Sequence, residues 1–141
     1  MEPSVSLILN TLGAGLPVLL LHFATTLGLL ALGVACYMAI TPFHEPRLIA
    51  EGNSAGGVVL AGSIVALAIP LASTLVTSTL VLDIVLWGGI ALLLQLLTFA
   101  VMTLVVRGLR TMIEDGNVAA ALVLAGAQVA VALLNAGAMA G

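Results

Sequence analysis

The chain has 141 residues, of which 62% are hydrophobic and 6% are charged. A soluble domain carries about 25% charged residues, because its surface faces water. The composition therefore excludes an ordinary water-soluble domain and indicates an integral membrane protein. A net charge of -3 without any lysine argues against nucleic acid as a partner and against a polybasic lipid-binding surface.

Four apolar stretches are long enough to cross about 30 Å of hydrocarbon as helices. They are Leu16–Ile40, Ser54–Thr79, Ile84–Val106 and Val118–Met139. We therefore predict an all-α integral membrane fold with four transmembrane helices in a single domain. No basic residue precedes the first stretch, so we expect it to stay in the mature protein. Residues 2–15 are expected to form an outer segment at the membrane interface.

The connections between these stretches predict the orientation of the chain. All three arginines, Arg47, Arg107 and Arg110, fall in the first and third connections. The positive-inside rule places those connections in the cytoplasm, and places both termini and the turn at 80–83 on the other side. Within the second stretch, Pro70 removes a helical donor and predicts a kink.

A sequence repeat joins the two halves of the chain. Residues 48–62, LIAEGNSAGGVVLAG, recur at an offset of 64 as MIEDGNVAAALVLAG. Both copies lie at the start of an even-numbered helix. We therefore predict two helical hairpins in the same orientation, about 16–79 and about 84–141, related by an axis near the membrane normal.

The repeated residues suggest helix capping. Asparagine is a favoured N-cap, an acid ahead of it complements the helix dipole, and glycine allows a tight entry. The predicted cap residues are Glu51, Gly52, Asn53, Asp115, Gly116 and Asn117. The alternative is that the two helix N-termini contact an anion or line a pore mouth, although the two acids would repel an anion.

Small residues recur further along both helices and suggest close packing. Steps of seven and four place them on one face of each helix, and such faces let helices approach closely in lipid. They are Ala55, Gly62, Ala66, Ala119, Gly126 and Ala130. The second and fourth helices are therefore expected at the packed centre, within one chain or between the subunits of a homo-oligomer.

The segments Thr41-Pro42-Phe43-His44-Glu45, Leu48-Ile49 and Glu51-Gly52-Asn53-Ser54-Ala55 resemble the signature of a bacterial inner-membrane family. That family is catalogued as domain of unknown function number 350 and is built of paired two-helix repeats. The second half lacks the Thr-Pro element, so any role of that turn belongs to the first half. The resemblance implies a cytoplasmic-membrane protein without an established enzyme activity, and its members are similar to components found beside envelope-stress or polyamine-related genes.

Polar side chains inside the predicted spans are candidate functional residues. Gln95 and Gln128 lie near the middle of the third and fourth spans, where they fit either an interhelical hydrogen bond or a pore lining. His22 lies towards the outer side, where a relay to Asp83 is the alternative to an isolated interfacial histidine.

No catalytic, metal or cofactor motif stands out in the sequence. Solvation in a loop is favoured for His44, Glu45 and Glu51 over a shared cytoplasmic cation, and His44-Glu45 lacks the second histidine of a zincin. Three aromatic residues, Tyr37, Phe43 and Trp87, fit interfacial anchors.

The sequence thus predicts a non-enzymatic structural or partner-binding component of the inner membrane, with a role in envelope homeostasis suggested by the resemblance. Its expected partners are the lipid bilayer, further copies of itself and an unidentified membrane protein. The alternative is a small oligomeric ion channel or transporter, its path lined by Gln95, Gln128, Asn53 and Asn117.

Overall fold

A computed structural model describes residues 3–141, and the regular structure of this part of the chain is entirely helical. Met1 and Glu2 lie outside the described residues, together with their share of the predicted outer segment. Six helices follow in chain order: α1 (Pro3–Ile40), α2 (Glu45–Ala50), α3 (Ser54–Thr77), α4 (Val81–Val105), α5 (Leu109–Glu114) and α6 (Val118–Ala140).

Four of these helices, α1, α3, α4 and α6, are long and apolar enough to cross a membrane, with mean hydropathies of 2.1 to 2.3. The predicted all-α membrane class is therefore confirmed. The ends of three spans differ from the prediction by three residues or fewer, whereas α1 begins thirteen residues before Leu16. No charged residue lies between Pro3 and that point, and the helix continues through Gly13, Gly15 and Pro17, which are residues that often end helices.

The connections that precede α3 and α6 are themselves helical, which the sequence analysis did not predict. The six-residue helices α2 and α5 each end two residues before a glycine with positive φ, 79° at Gly52 and 80° at Gly116. The next amide then bonds back across the turn, Asn53 to Leu48 and Asn117 to Met112, both at 2.8 Å. Because an L side chain is strained at this φ, glycine fits both turns.

The centre of the bundle is the contact between α3 and α6, which is the most extensive of the fold. On its other sides α3 meets α1, α2 and α4, whereas α6 is covered mainly by α3. The α3–α6 contact is tight because Gly62 has no side chain: a Cβ there would overlap that of Ala125 and lie 3.1 Å from its Cα. Pro70 lies within α3 and is buried in the bundle, and the helix continues past it to Thr77.

Two glycine contacts set the register between α1 and α4. Gly33 of α1 faces Leu92 of α4, and Gly88 of α4 faces Leu29 of α1. Both pairs differ by 59 positions, so the two helices run parallel and the first residue of α4, Val81, is level with about residue 22 of α1. The preceding residues of α1 therefore extend past the N-terminal end of α4 by roughly 28 Å, at about 1.5 Å per residue.

Candidate functional site

The repeated Gly-Asn motif caps both central helices. The side-chain oxygen of Asn53 accepts a hydrogen bond from the amide of Gly56 at 3.0 Å, and Asn117 accepts one from Ala120 at 3.0 Å. Both asparagines have extended backbones, as N-cap residues do. Each bond satisfies one of the amides that a helix N-terminus leaves free, so the cap oxygens are engaged within the protein.

The two caps differ in what the amide nitrogen contacts. The Asn53 Nδ2 donates to the backbone oxygens of Ile113 at 2.9 Å and Glu114 at 3.0 Å, at the end of α5. Among the described hydrogen bonds, Asn117 Nδ2 has no such partner, and Asn117 is exposed. Asn53 therefore ties the two repeated segments together, whereas Asn117 serves its own helix.

Two arginines of these connections form ion pairs on exposed surface. Arg47 pairs with Glu51 at 2.8 Å, and Arg110 pairs with Glu114 at 3.0 Å, each one helical turn apart on exposed surface. The hydrogen bond that Arg47 donates to Glu51 holds the pKa of Arg47 above its ordinary value. Asp115 is exposed. Since exposed pairs contribute little stability, these charges bear mainly on orientation and solubility.

The two small-residue faces have different surroundings. Ala55 and Ala66 are fully buried and Gly62 packs on Ala125. The corresponding residues of α6, Ala119, Gly126 and Ala130, are exposed. Within one chain, the small residues of α6 therefore do not form the close helix contact that the sequence predicts for them. The reason is rotation: α6 turns another face, which includes Ala121, Leu124, Gln128 and Ala132, into the bundle.

The two intramembrane glutamines meet in the core between α4 and α6. Gln95 Nε2 donates to the backbone oxygen of Gln128 at 2.6 Å, and each residue is 2% exposed. The other amide atoms, Gln95 Oε1 and Gln128 Nε2, have no hydrogen-bond partner. Neither glutamine lines one of the cavities found in the described part of the chain. The pair therefore acts as polar packing in the isolated chain.

The outer residues considered for a relay are not joined. His22 is half-buried on α1, and its backbone oxygen accepts a hydrogen bond from Thr26. Asp83 lies in the first turn of α4 and lines a cleft of about 520 Å³ together with Trp87 and Asn135. The described hydrogen bonds and ion pairs include none between His22 and Asp83.

A buried polar cluster at the opposite end of the bundle was missed by the sequence analysis. Glu45 is 1% exposed and Tyr37 is 2% exposed, which corrects their assignment to a solvated loop and to the membrane interface. The Tyr37 hydroxyl lies close enough to Ser63 and Glu45 to interact with both. The Tyr37 hydroxyl and Glu45 Oε1 nevertheless have no hydrogen-bond partner of standard geometry.

The non-helical turn between α1 and α2 brings these groups together. Thr41, one residue past α1, donates to the Met38 carbonyl at 3.0 Å and lies 3.3 Å from Glu45 Oε2. The short helix α2 then turns Glu45 inwards against α1 and α3. Pro42 predicts the break that separates α1 from α2. Because the intervening residues are not helical, a helical spacing in the sequence could not reveal the cluster.

Phe43, the third predicted interfacial aromatic residue, is also buried, at 4% exposure, whereas Trp87 is 53% exposed. Beside the polar cluster lies an open cleft of about 540 Å³, lined in part by Thr41, His44 and Arg47. Within the described residues there is no group of three or more His, Cys, Asp or Glu side chains that could hold a metal ion.

These features define a multi-pass helical membrane protein with capped central helices and a buried polar cluster at one end. The chain belongs to the family described as Domain of Unknown Function (DUF350), whose model matches residues 11–139. It is similar to the UPF0719 inner membrane protein YjfL of Escherichia coli K12 and to that of Escherichia coli O157:H7. Each is 36% identical over 103 residues, which cover 73% of this chain and 78% of the relative. No solved structure matches the chain.

Proposed function

We propose that the chain is a non-enzymatic component of the bacterial inner membrane that works by binding other membrane polypeptides, beginning with further copies of itself. Its relatives are named inner membrane proteins, and the family name assigns them no activity. In this proposal the Gly-Asn motifs are structural caps within two parallel hairpin repeats. A role in envelope homeostasis fits such a component.

The observation that carries the proposal is the projecting half of α1. The described residues 4–21 are exposed or half-buried, and they include Leu7, Ile8, Leu12 and Leu16 at 45% to 67% exposure. If α4 begins at the edge of the hydrocarbon, this segment leaves the membrane while remaining apolar. Each large apolar side chain left in water costs roughly 1.5–3 kcal/mol. The projecting segment therefore requires a cover that the chain does not supply.

A second copy of the same helix is the cover that we propose. Leu9, Leu12, Leu16 and Leu19 follow one another in steps of three, four and three, so they form a stripe along one face. All four are at least 45% exposed. Leucines at this spacing pack between two parallel helices as knobs into holes. Two projecting segments side by side would remove both stripes from water.

Disulfide cross-linking in native membranes tests this arrangement. The native cysteine is first removed by Cys36→Ala. Single cysteines are then introduced into this background at Leu12 or Leu16 on the stripe. Ala14→Cys is the matched control, because residue 14 points to the opposite side of the helix and is also exposed. We expect oxidation to trap dimers of the Leu12→Cys and Leu16→Cys variants and to leave Ala14→Cys monomeric.

The other outcomes would count against the proposal. Equal cross-linking at all three positions would indicate random collision. Absence of cross-linking, together with protection of all three cysteines from a water-soluble maleimide, would show that the segment lies in lipid, bent at Pro17 or tilted. Cross-linking to another protein in place of a second copy would keep the partner-binding function and overturn the homo-oligomer.

The channel alternative has less support from the geometry, because Gln95 and Gln128 face each other in the core. Liposomes containing the purified, assembled protein separate the two functions by the flux of K⁺, Na⁺, Cl⁻ and H⁺. The partner-binding proposal expects no flux above that of empty liposomes. Flux that is lost in Gln95→Leu, with the assembly unchanged, would replace the proposal by the channel.

A further inference from the structure

The carboxyl group of Glu45 is buried and has no cationic partner among the described residues. Within the described residues, the ion pairs engage Arg47 with Glu51 and Arg110 with Glu114, and both lie on exposed surface. Glu45 forms no ion pair with any cationic side chain of that part of the chain. A buried charge without a counter-charge is costly, so buried charges are paired or bind ions.

The end of α1 adds negative potential at the same place. Glu45 Oε2 lies 3.3 Å from the Thr41 hydroxyl, which donates to the Met38 carbonyl in the last turn of α1. The last turn of α1 contains no basic residue to balance the negative end of the helix dipole. The opposing N-terminus of α2 belongs to a helix of only six residues. Carbonyls at helix C-terminal ends are known ligands of Na⁺ in membrane proteins.

The remaining groups around Glu45 supply oxygen atoms. Ser63 uses its hydroxyl hydrogen in a 2.8 Å bond to the Val59 carbonyl, so its oxygen is left as an acceptor. The Tyr37 hydroxyl and Glu45 Oε1 are both buried and have no hydrogen-bond partner of standard geometry. Oxygen ligands suit hard cations, and a single carboxylate matches a single positive charge, whereas calcium sites usually gather several carboxylates.

We propose that Glu45, Tyr37 and Ser63 form a binding site for a monovalent alkali cation at the junction of α1, α2 and α3. The bound cation neutralises Glu45 and fastens α2 between the ends of α1 and α3. Thr41, whose hydroxyl lies 3.3 Å from Glu45 Oε2, also lines the open cleft, and we expect the ion to enter from that side. The site is separate from the projecting segment of α1, so it does not depend on the proposed assembly.

Equilibrium binding of radioactive Na⁺ to the full chain in detergent tests the site directly. We expect saturable binding of one Na⁺ per chain, competed by K⁺ and absent from Glu45→Gln. Thermal unfolding provides the second measurement. At Na⁺ about ten times the dissociation constant, the midpoint should rise by roughly 3–6 °C over N-methylglucamine chloride at equal ionic strength.

Two variants separate the site from general effects of charge and folding. Tyr37→Phe removes one oxygen and keeps the ring, whose centroid lies 4.8 Å from that of Phe99, so we expect weaker Na⁺ binding by a folded protein. Asp115→Asn removes an exposed carboxylate and should leave Na⁺ binding unchanged. If Glu45→Gln does not fold, Tyr37→Phe and Ser63→Ala decide the question.

Three results would overturn the cation site. The first is a midpoint that rises equally with N-methylglucamine, Na⁺ and K⁺. The second is Na⁺ binding that survives unchanged in Glu45→Gln or in both hydroxyl variants. The third is stabilisation by acid without any effect of Na⁺, lost in Glu45→Gln, which would mean that Glu45 holds a proton.

Discussion

The side-chain nitrogen of Asn53 donates to the backbone oxygen of Ile113 across 2.9 Å and 60 positions of sequence. This bond joins the cap of α3 to the end of α5, so the two repeated segments meet at one end of the bundle. The same side chain caps its own helix through Gly56. Asn53 therefore has two roles, local and long-range, whereas Asn117 has the local role alone.

Replacing the two caps should reveal this difference. Loss of an N-cap costs about 1 kcal/mol, and each lost hydrogen bond roughly 0.5–1.5 kcal/mol more. We expect Asn53→Ala to lower the free energy of unfolding by about 2–4 kcal/mol and Asn117→Ala by about 1 kcal/mol. Reversible unfolding in mixed micelles, followed by circular dichroism, measures both values.

Serine provides the control for the two roles of Asn53, because it keeps a capping oxygen and loses the amide donors. Asn53→Ser should fall between wild type and Asn53→Ala, while Asn117→Ser should match wild type. Equal losses for Asn53→Ala and Asn117→Ala would show that the long-range bonds contribute nothing.

The sequence predicted what depends on local signals. Four uncharged runs predicted the four membrane helices, and the Gly-Asn pairs marked the starts of α3 and α6 at Ser54 and Val118. The burial of Glu45 depends on how α2 packs against two other helices, so a loop assignment from charge and Pro42 alone was wrong. The exposure of Gly126 likewise depends on the rotation of α6, which a repeat with identical residues cannot indicate.

A methyl group should have opposite effects on the two equivalent glycines. Gly62→Ala places a Cβ against Ala125, including its backbone, and overpacking of this kind costs about 1–3 kcal/mol. Gly126 has no neighbouring atom within 4 Å of an added Cβ, so Gly126→Ala should be neutral or stabilise by up to about 1 kcal/mol. Mixed-micelle unfolding compares the two variants.

The partner residue supplies a rescue for Gly62→Ala. Adding Ala125→Gly removes the opposing Cβ and should recover part of the loss, which gives a coupling energy in a double-mutant cycle. If the effects of the two changes are additive, Gly62→Ala does not destabilise the protein through its contact with Ala125.

Leucine substitutions should distinguish the two glutamines of the core. Gln95 contributes its side chain to the bond, whereas Gln128 contributes only its backbone oxygen. An interhelical hydrogen bond in a membrane protein contributes about 0.6 kcal/mol on average. We therefore expect Gln95→Leu to lower the free energy of unfolding by about 0.6 kcal/mol or less, because the change also removes an oxygen that has no partner. Gln128→Leu should be neutral or stabilising, since it keeps the bond and removes an unpartnered nitrogen. Unfolding measurements that rank the two in the reverse order would contradict the assigned geometry.

The orientation of the chain depends on few charges and is open to a direct measurement. In a Cys36→Ala background, Thr79→Cys reports the turn between α3 and α4, and Asp115→Cys reports the turn between α5 and α6; both positions are exposed. The positive-inside rule predicts that an impermeant maleimide labels Thr79→Cys in right-side-out vesicles and labels Asp115→Cys only after the vesicles are opened. The reverse pattern would place the arginines outside. Because Arg107 and Arg110 supply two of the three positive charges, replacing both with glutamine should produce a mixed population in which each cysteine is partly labelled.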